Sequence, residues 1–152
     1  MTFAYYNAGN YDQAITYSRR MLEMDSTEIA AYYFLMYSYI GKGLQDRALQ
    51  IAQEQNIEQN FPVVAAVVYA AAGMHGKARE LVKDITDLSN SYDLVSVYVL
   101  LNQHEYAIDL MERAYEEHEM AIVGAKVNPF YKPLHAYPRY QELLRRINFP
   151  DD

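Results

Sequence analysis

Four histidines, a group of glutamates and one Gly-Lys-Gly triplet are the side chains of this sequence whose chemistry invites a catalytic or ligand role. His75 and His104 each stand three residues before an alanine, Ala78 and Ala107. A shared position of this kind is explained by structure rather than by ligation. His118 and His135 have no metal-ligating side chain three or four residues away, the spacing that puts two ligands on one helix face. Glu112, Glu116, Glu117 and Glu119 read as a solvated helix face rather than as an acid–base pair. Gly41, Lys42 and Gly43 lack the rest of a phosphate-binding loop and read as a turn. The chain has no cysteine, hence no thiolate nucleophile, Cys-based metal site or disulfide. These residues point away from an enzyme and call for no metal or cofactor.

The elements that would carry any site are written in a repeated spacing. A tyrosine, a glycine four residues later and an alanine five residues beyond that occur as Tyr5, Gly9, Ala14, as Tyr39, Gly43, Ala48 and as Tyr69, Gly73, Ala78. A fourth copy, Tyr98, Asn102, Ala107, has asparagine at the glycine position. The tyrosine falls late on a first helix. The glycine takes the left-handed position after it, where asparagine is the next-best residue. The alanine falls early on a second helix, where a small side chain lets two helix axes approach to ~8–10 Å. Apolar residues follow each alanine at helical spacing, such as Leu81, Val82 and Ile85 after Ala78, with Gln55 the one break in the stripe after Ala48. Helices are expected near 1–8, 11–24, 28–41, 44–57, 61–73, 75–87, 90–102 and 104–118. Pro62 would open one of them, and Ser26 or Thr27, Asn60, and Ser89 or Asn90 would cap others.

The marker alanines are 34, 30 and 29 residues apart. The 34-residue period with this Tyr/Gly/Ala pattern resembles the tetratricopeptide repeat (TPR) family, most closely in 9–15 and 21–26. Ser26 stands where the family usually has proline, and Met21 where it has a small residue. The resemblance implies an all-α superhelix of about three and a half hairpins over 1–125, closed by a helical cap in 126–152 that belongs to the same domain. Within the cap, Asn128-Pro129 and Pro138 read as helix starts. Tyr140, Leu143, Leu144 and Ile147 share one face, expected to cover the last hairpin. The cap also resembles the tail closing the TPR regions of bacterial signalling and transcriptional regulators. The first helix, short beside its later copies, suggests a C-terminal fragment of such a protein.

Function follows from the inner face that the family lines 15 and 11 residues before the marker alanine. Those positions hold Tyr33 and Tyr37, Val63 and Val67, and Tyr92 and Ser96, with Phe3 from the first helix. The set is aromatic and aliphatic, which does not fit the Lys/Asn carboxylate clamp of chaperone-binding members. It suits an apolar peptide or helix, or the chain's own tail, and so an interaction scaffold. The alternative is a small-molecule-sensing domain controlling an attached effector. Residues 1–119 carry 8 Lys/Arg against 17 Asp/Glu, net −9, and 120–152 carry 5 against 3, net +2. An acidic body does not neutralise phosphates, which argues against nucleic acid. No apolar run approaches the ~18 residues that span a bilayer, and no signal peptide is evident, so a cytoplasmic location is expected. The incomplete first hairpin, with Phe3, Tyr5 and Tyr6, suggests a weak homodimer through 1–24.

Overall fold

The computed structural model describes residues 1–119 and 121–147, and among these every regular element is helical. The hairpins are α1 (Thr2–Asn7) with α2 (Tyr11–Met24), α3 (Ile29–Gly41) with α4 (Gln45–Glu54), α6 (Pro62–Ala71) with α7 (His75–Val82), and α8 (Ser91–Leu100) with α9 (His104–Glu116). A short α5 (Ile57–Asn60) precedes α6. After α9 come α10 (Ala121–Gly124), a 3-10 segment Pro129–Ala136, and α11 (Pro138–Ile147).

One hydrogen-bond pattern closes the turn of all four hairpins. The amide after the turn donates to the repeat tyrosine's carbonyl: Asn10 to Tyr5 at 2.8 Å, Leu44 to Tyr39 at 2.8 Å, Met74 to Tyr69 at 2.8 Å and Gln103 to Tyr98 at 2.9 Å. The turn residue's own amide donates to the next carbonyl, as Gly43 does to Ile40 at 2.9 Å. This pair of bonds satisfies helix-end carbonyls and requires a left-handed residue between them. Gly9, Gly43, Gly73 and Asn102 supply it, with φ of 73°, 73°, 77° and 58°. The second helix starts at once. Ala14, Ala48, Ala78 and Ala107 each donate to the carbonyl four residues back and are fully buried.

First and second helices differ in character. Val63 to Ala70 of α6 are all buried, and α3 buries Leu35 to Ile40 in one run. A helix that is apolar all round belongs in an interior. The interior is where these lie: α3 packs on α1, α2, α4 and α6, and α6 packs on α3, α4, α5, α7 and α8. The second helices are amphipathic and form the outer layer, with acidic and basic residues outward. A single apolar core runs from Tyr6 to Leu143.

Several boundaries differ from the sequence expectation. The helix after Ala48 ends at Glu54, so Gln55 lies beyond it and leaves the apolar stripe intact. Asn56, at φ 51°, then turns the chain into α5. The helix after Ala78 stops at Val82, and a 3-10 turn over Leu88–Asn90 leads into α8. Of the expected caps, Asn90 does stand at the cap position of α8, though its side chain makes no cap hydrogen bond, and the others fall elsewhere. Glu28 accepts from the Ala30 amide at 3.1 Å, and Phe61 stands at the cap position before Pro62. Asn128 does cap, accepting from the Phe130 amide at 3.0 Å, but it starts a 3-10 segment rather than an α-helix.

The C-terminal block goes further than the last hairpin. α11 buries Tyr140 and Leu143 and packs on α9 and the 3-10 segment, and Arg139 holds Glu105, Asp109 and Glu112 of α9 at 3.2, 2.8 and 2.7 Å. The start of the 3-10 segment crosses to the first hairpin. The Tyr6 hydroxyl donates to Asn128 Oδ1 at 3.4 Å, and the Phe130 ring lies 6.1 Å from that of Tyr6 and 5.4 Å from that of Tyr37. Tyr131 donates to the Tyr92 carbonyl at 2.7 Å, and Asn128 reaches Ser96 Oγ at 3.5 Å. Residues 148–152 of the block lie outside the described residues.

Candidate binding pocket

Of the side chains whose chemistry invites a ligand role, Lys42, His104, His135 and Glu112 have structural partners. Lys42 pairs with Asp12, and the Tyr11 ring lies so close over Gly41 that no Cβ would fit, so the Gly-Lys-Gly triplet joins the first two hairpins. His104 meets the Tyr137 hydroxyl at 3.1 Å, and the His135 ring packs on Tyr140. Glu112 belongs to the Arg139 network, while Glu116 and Glu117 are exposed. Among the described residues no group of His, Asp and Glu is placed to hold a metal ion, and no helix is long and apolar enough to cross a membrane.

The six residues expected to line an inner groove separate into two sets. Tyr37, Val63, Val67 and Ser96 are buried. For these the expectation of an open trough is corrected. Phe130 and Asn128 occupy the face that Tyr37 and Ser96 would present, and α6 is enclosed by its neighbours. Tyr6 is also fully buried, so the surface of 1–24 offers Phe3, at 40% exposure, without it. Tyr33 and Tyr92 are only half-buried.

Those two line a pocket of about 320 Å³ together with Phe3 and Phe34, the buried Tyr37, Ser89, Asn90 and Asp93. Four elements build it. Phe3 comes from α1, and Tyr33, Phe34 and Tyr37 from one face of α3. Ser89 and Asn90 come from the 3-10 turn, and Tyr92 and Asp93 from the first turn of α8. A second hollow of about 230 Å³ shares Tyr33 and Asn90 and continues along Phe61, Pro62 and Val63 to Asp87. The rings brace one another. Phe3 meets Phe34 edge-on at 5.8 Å, Tyr33 stacks on Tyr37 at 6.4 Å, and Phe61 stands edge-on to Tyr33 at 5.6 Å.

Asp93 is the charged group of the pocket. Its Oδ1 accepts from the buried Tyr37 hydroxyl at 2.7 Å. Burial pushes its carboxyl up from 3.8 to about 6, and the Tyr37 hydrogen bond opposes that shift. Burial and the Asp93 charge together push the Tyr33 phenol up to about 12. The Tyr92 ring is seated against Gly124, and its hydroxyl is buried with no hydrogen-bond partner among the described residues.

Sequence reasoning found Phe3, Tyr33, Tyr37 and Tyr92 and missed Phe34, Phe61 and Asp93. A signal for Asp93 existed. It stands 14 residues before its marker alanine, where the two preceding repeats have Phe34 and Val64. A charge in an apolar register is the kind of local inconsistency that marks a site. Comparison with family models, curated proteins and solved structures returns no match for this chain.

Proposed function

We propose that this chain is a TPR-like helical-repeat interaction module of the cytoplasm, without catalytic activity, that takes a partner's segment across the open ends of α3, α6 and α8. The observation that carries this reading is the pair of adjoining hollows sharing Tyr33 and Asn90, apolar in their walls and edged by Asp87 and Asp93. An extended segment laid there would seat one side chain in the aromatic pocket and a neighbour against Phe61 and Pro62. Half-buried aromatic rings are the residue type that anchors such contacts. The four matching turns support the repeat assignment, and the tail resemblance keeps a larger bacterial regulator as the natural setting. A second reading, a small-molecule-sensing domain, is favoured by one feature. The pocket's volume falls within the ~300–1,000 Å³ of ligand sites, and it has apolar walls and one acidic group.

Selection from a random peptide library, followed by titration of the selected peptides, tests the first reading. Tyr33→Ala and Phe61→Ala are expected to weaken binding by tenfold or more while the helical circular dichroism is retained. Equal affinity for both variants would place the partner elsewhere.

A further inference from the structure

We infer that the aromatic pocket recognises an alkylammonium cation, with Asp93 as its counter-ion and the rings of Phe3, Tyr33 and Tyr92 as its walls. This rests on the reading that the pocket is where the ligand is taken, and it names the chemistry of that ligand. Three observations support it. The pocket brings five aromatic residues, Phe3, Tyr33, Phe34, Tyr37 and Tyr92, around one carboxylate. Aromatic faces attract a cation through their quadrupole, and they do so best when water is excluded. Among the described residues no Lys, Arg or His stands within salt-bridge distance of Asp93, whose polar neighbour is the neutral hydroxyl of Tyr37. Burial disfavours its negative charge, and the fold supplies no cation to offset this. Finally, the surrounding body is strongly acidic, at net −9 over 1–119, which attracts cations and repels anions.

The groups facing Asp93 set how the site behaves. They are Tyr33 and Tyr37 from α3, Tyr6 from α1, Tyr92 from its own helix and Tyr131 from the 3-10 segment. All five are phenols that burial holds neutral across the physiological range, so the charge of the pocket is that of Asp93. A compact ammonium bearing alkyl groups fits such a site better than a guanidinium. It gains from apolar contact with the rings and needs no fork of hydrogen-bond acceptors. A lysine side chain of a partner segment and a free small amine carry the same chemistry, and the test separates them.

Nuclear magnetic resonance titration of the intact chain would use four probes. These are n-butylammonium and an Nα-acetyl-lysine amide for the side chain, choline for the free amine, and 3,3-dimethylbutan-1-ol, the neutral isostere of choline. The inference expects at least one cation to shift the resonances of Tyr33, Tyr92 and Asp93. It also expects that cation to bind about tenfold or more tighter than the alcohol. Asp93→Asn and Tyr33→Leu should each weaken the cation severalfold, and Asp93→Asn should weaken the cation by a larger factor than it weakens the alcohol. A lysine amide that binds more tightly than n-butylammonium and choline supports the inference with a protein segment as the source, and the reverse order supports it with a small molecule. Equal binding of alcohol and cations at the pocket overturns the inference while keeping the pocket as a binding site. Cation shifts that survive both substitutions, or that fall outside the pocket, overturn it as well.

Discussion

At the scale of single residues, two glycines two positions apart illustrate different constraints. Gly43 needs its left-handed φ of 73° and has open space where a Cβ would stand, whereas Gly41 is helical and lacks room because of the Tyr11 ring. Gly43→Val is expected to destabilise the chain by ~1 kcal/mol or more through backbone strain. Gly41→Ala should also destabilise, but its cost should shrink in a Tyr11→Ala background, while that of Gly43→Val should not. Denaturant unfolding of the single and double variants checks this, and equal non-additivity for both glycines would contradict it. Asp93 gives a pH prediction. Its folded pKa of about 6 lies above the ordinary 3.8, so the folded state holds the proton more tightly than the unfolded one. Stability is therefore lost as pH rises from about 4 to about 6, and the cost persists above that window. Asp93→Asn should raise stability at pH 7.5 by about 1–2 kcal/mol, less than the full shift implies because the group keeps solvent contact. The gain should fade toward pH 4. A gain that grew on acidification would show that the carboxylate is stabilised in the fold.

At the scale of elements, the hairpins were legible in the sequence and the tail's path was not, for a physical reason. A turn of the kind closing α3 is fixed by residues no more than nine apart, with one position needing glycine or asparagine and another needing a small side chain. Local chemistry of this sort leaves a readable spacing. Two other left-handed residues, Asn56 and His118, carry no repeat mark, and histidine is not a residue that announces such a turn. The contact of Tyr6 with Asn128 joins residues 122 apart in sequence, and no periodicity encodes it. Asn128-Pro129 reads as a helix start, and nothing in the spacing indicates a 3-10 segment or that Phe130 would reach Tyr37. This placement has a measurable consequence. Phe130→Ala removes a buried ring that touches Tyr6 and Tyr37, and it should cost about 3 kcal/mol or more. By contrast, Arg139→Ala removes three ion pairs at exposed positions and should cost no more than ~1 kcal/mol, with the loss shrinking in high salt. Thermal melts of the two variants at low and high ionic strength would rank them. A larger loss for Arg139→Ala would mean that α11 is held by charge rather than by its apolar face.

At the scale of the whole molecule, the C-terminal segment decides which surface is open. The first helices form an interior layer, and residues 128–131 lie across it from α8 to α1. With that face covered, the aromatic pocket and its neighbouring hollow stay open at the ends of α3, α6 and α8, and the proposed partner is assigned there. The sequence carried four of the five aromatic residues of that pocket, Phe3, Tyr33, Tyr37 and Tyr92, because they fall at register positions that a repeat points inward, and Phe34 does not. It did not carry the closure that buries Tyr37 and Ser96, which depends on the chain doubling back on itself. The most direct test is to record nuclear Overhauser contacts between the Phe130 ring and the rings of Tyr6 and Tyr37, in the free chain and with a selected peptide bound. The account predicts that these contacts are present in both states, with binding shifts confined to the pocket and the adjoining hollow. Contacts that vanish when the peptide binds would contradict it, because the tail would then be a displaceable occupant and the inner face the true binding site.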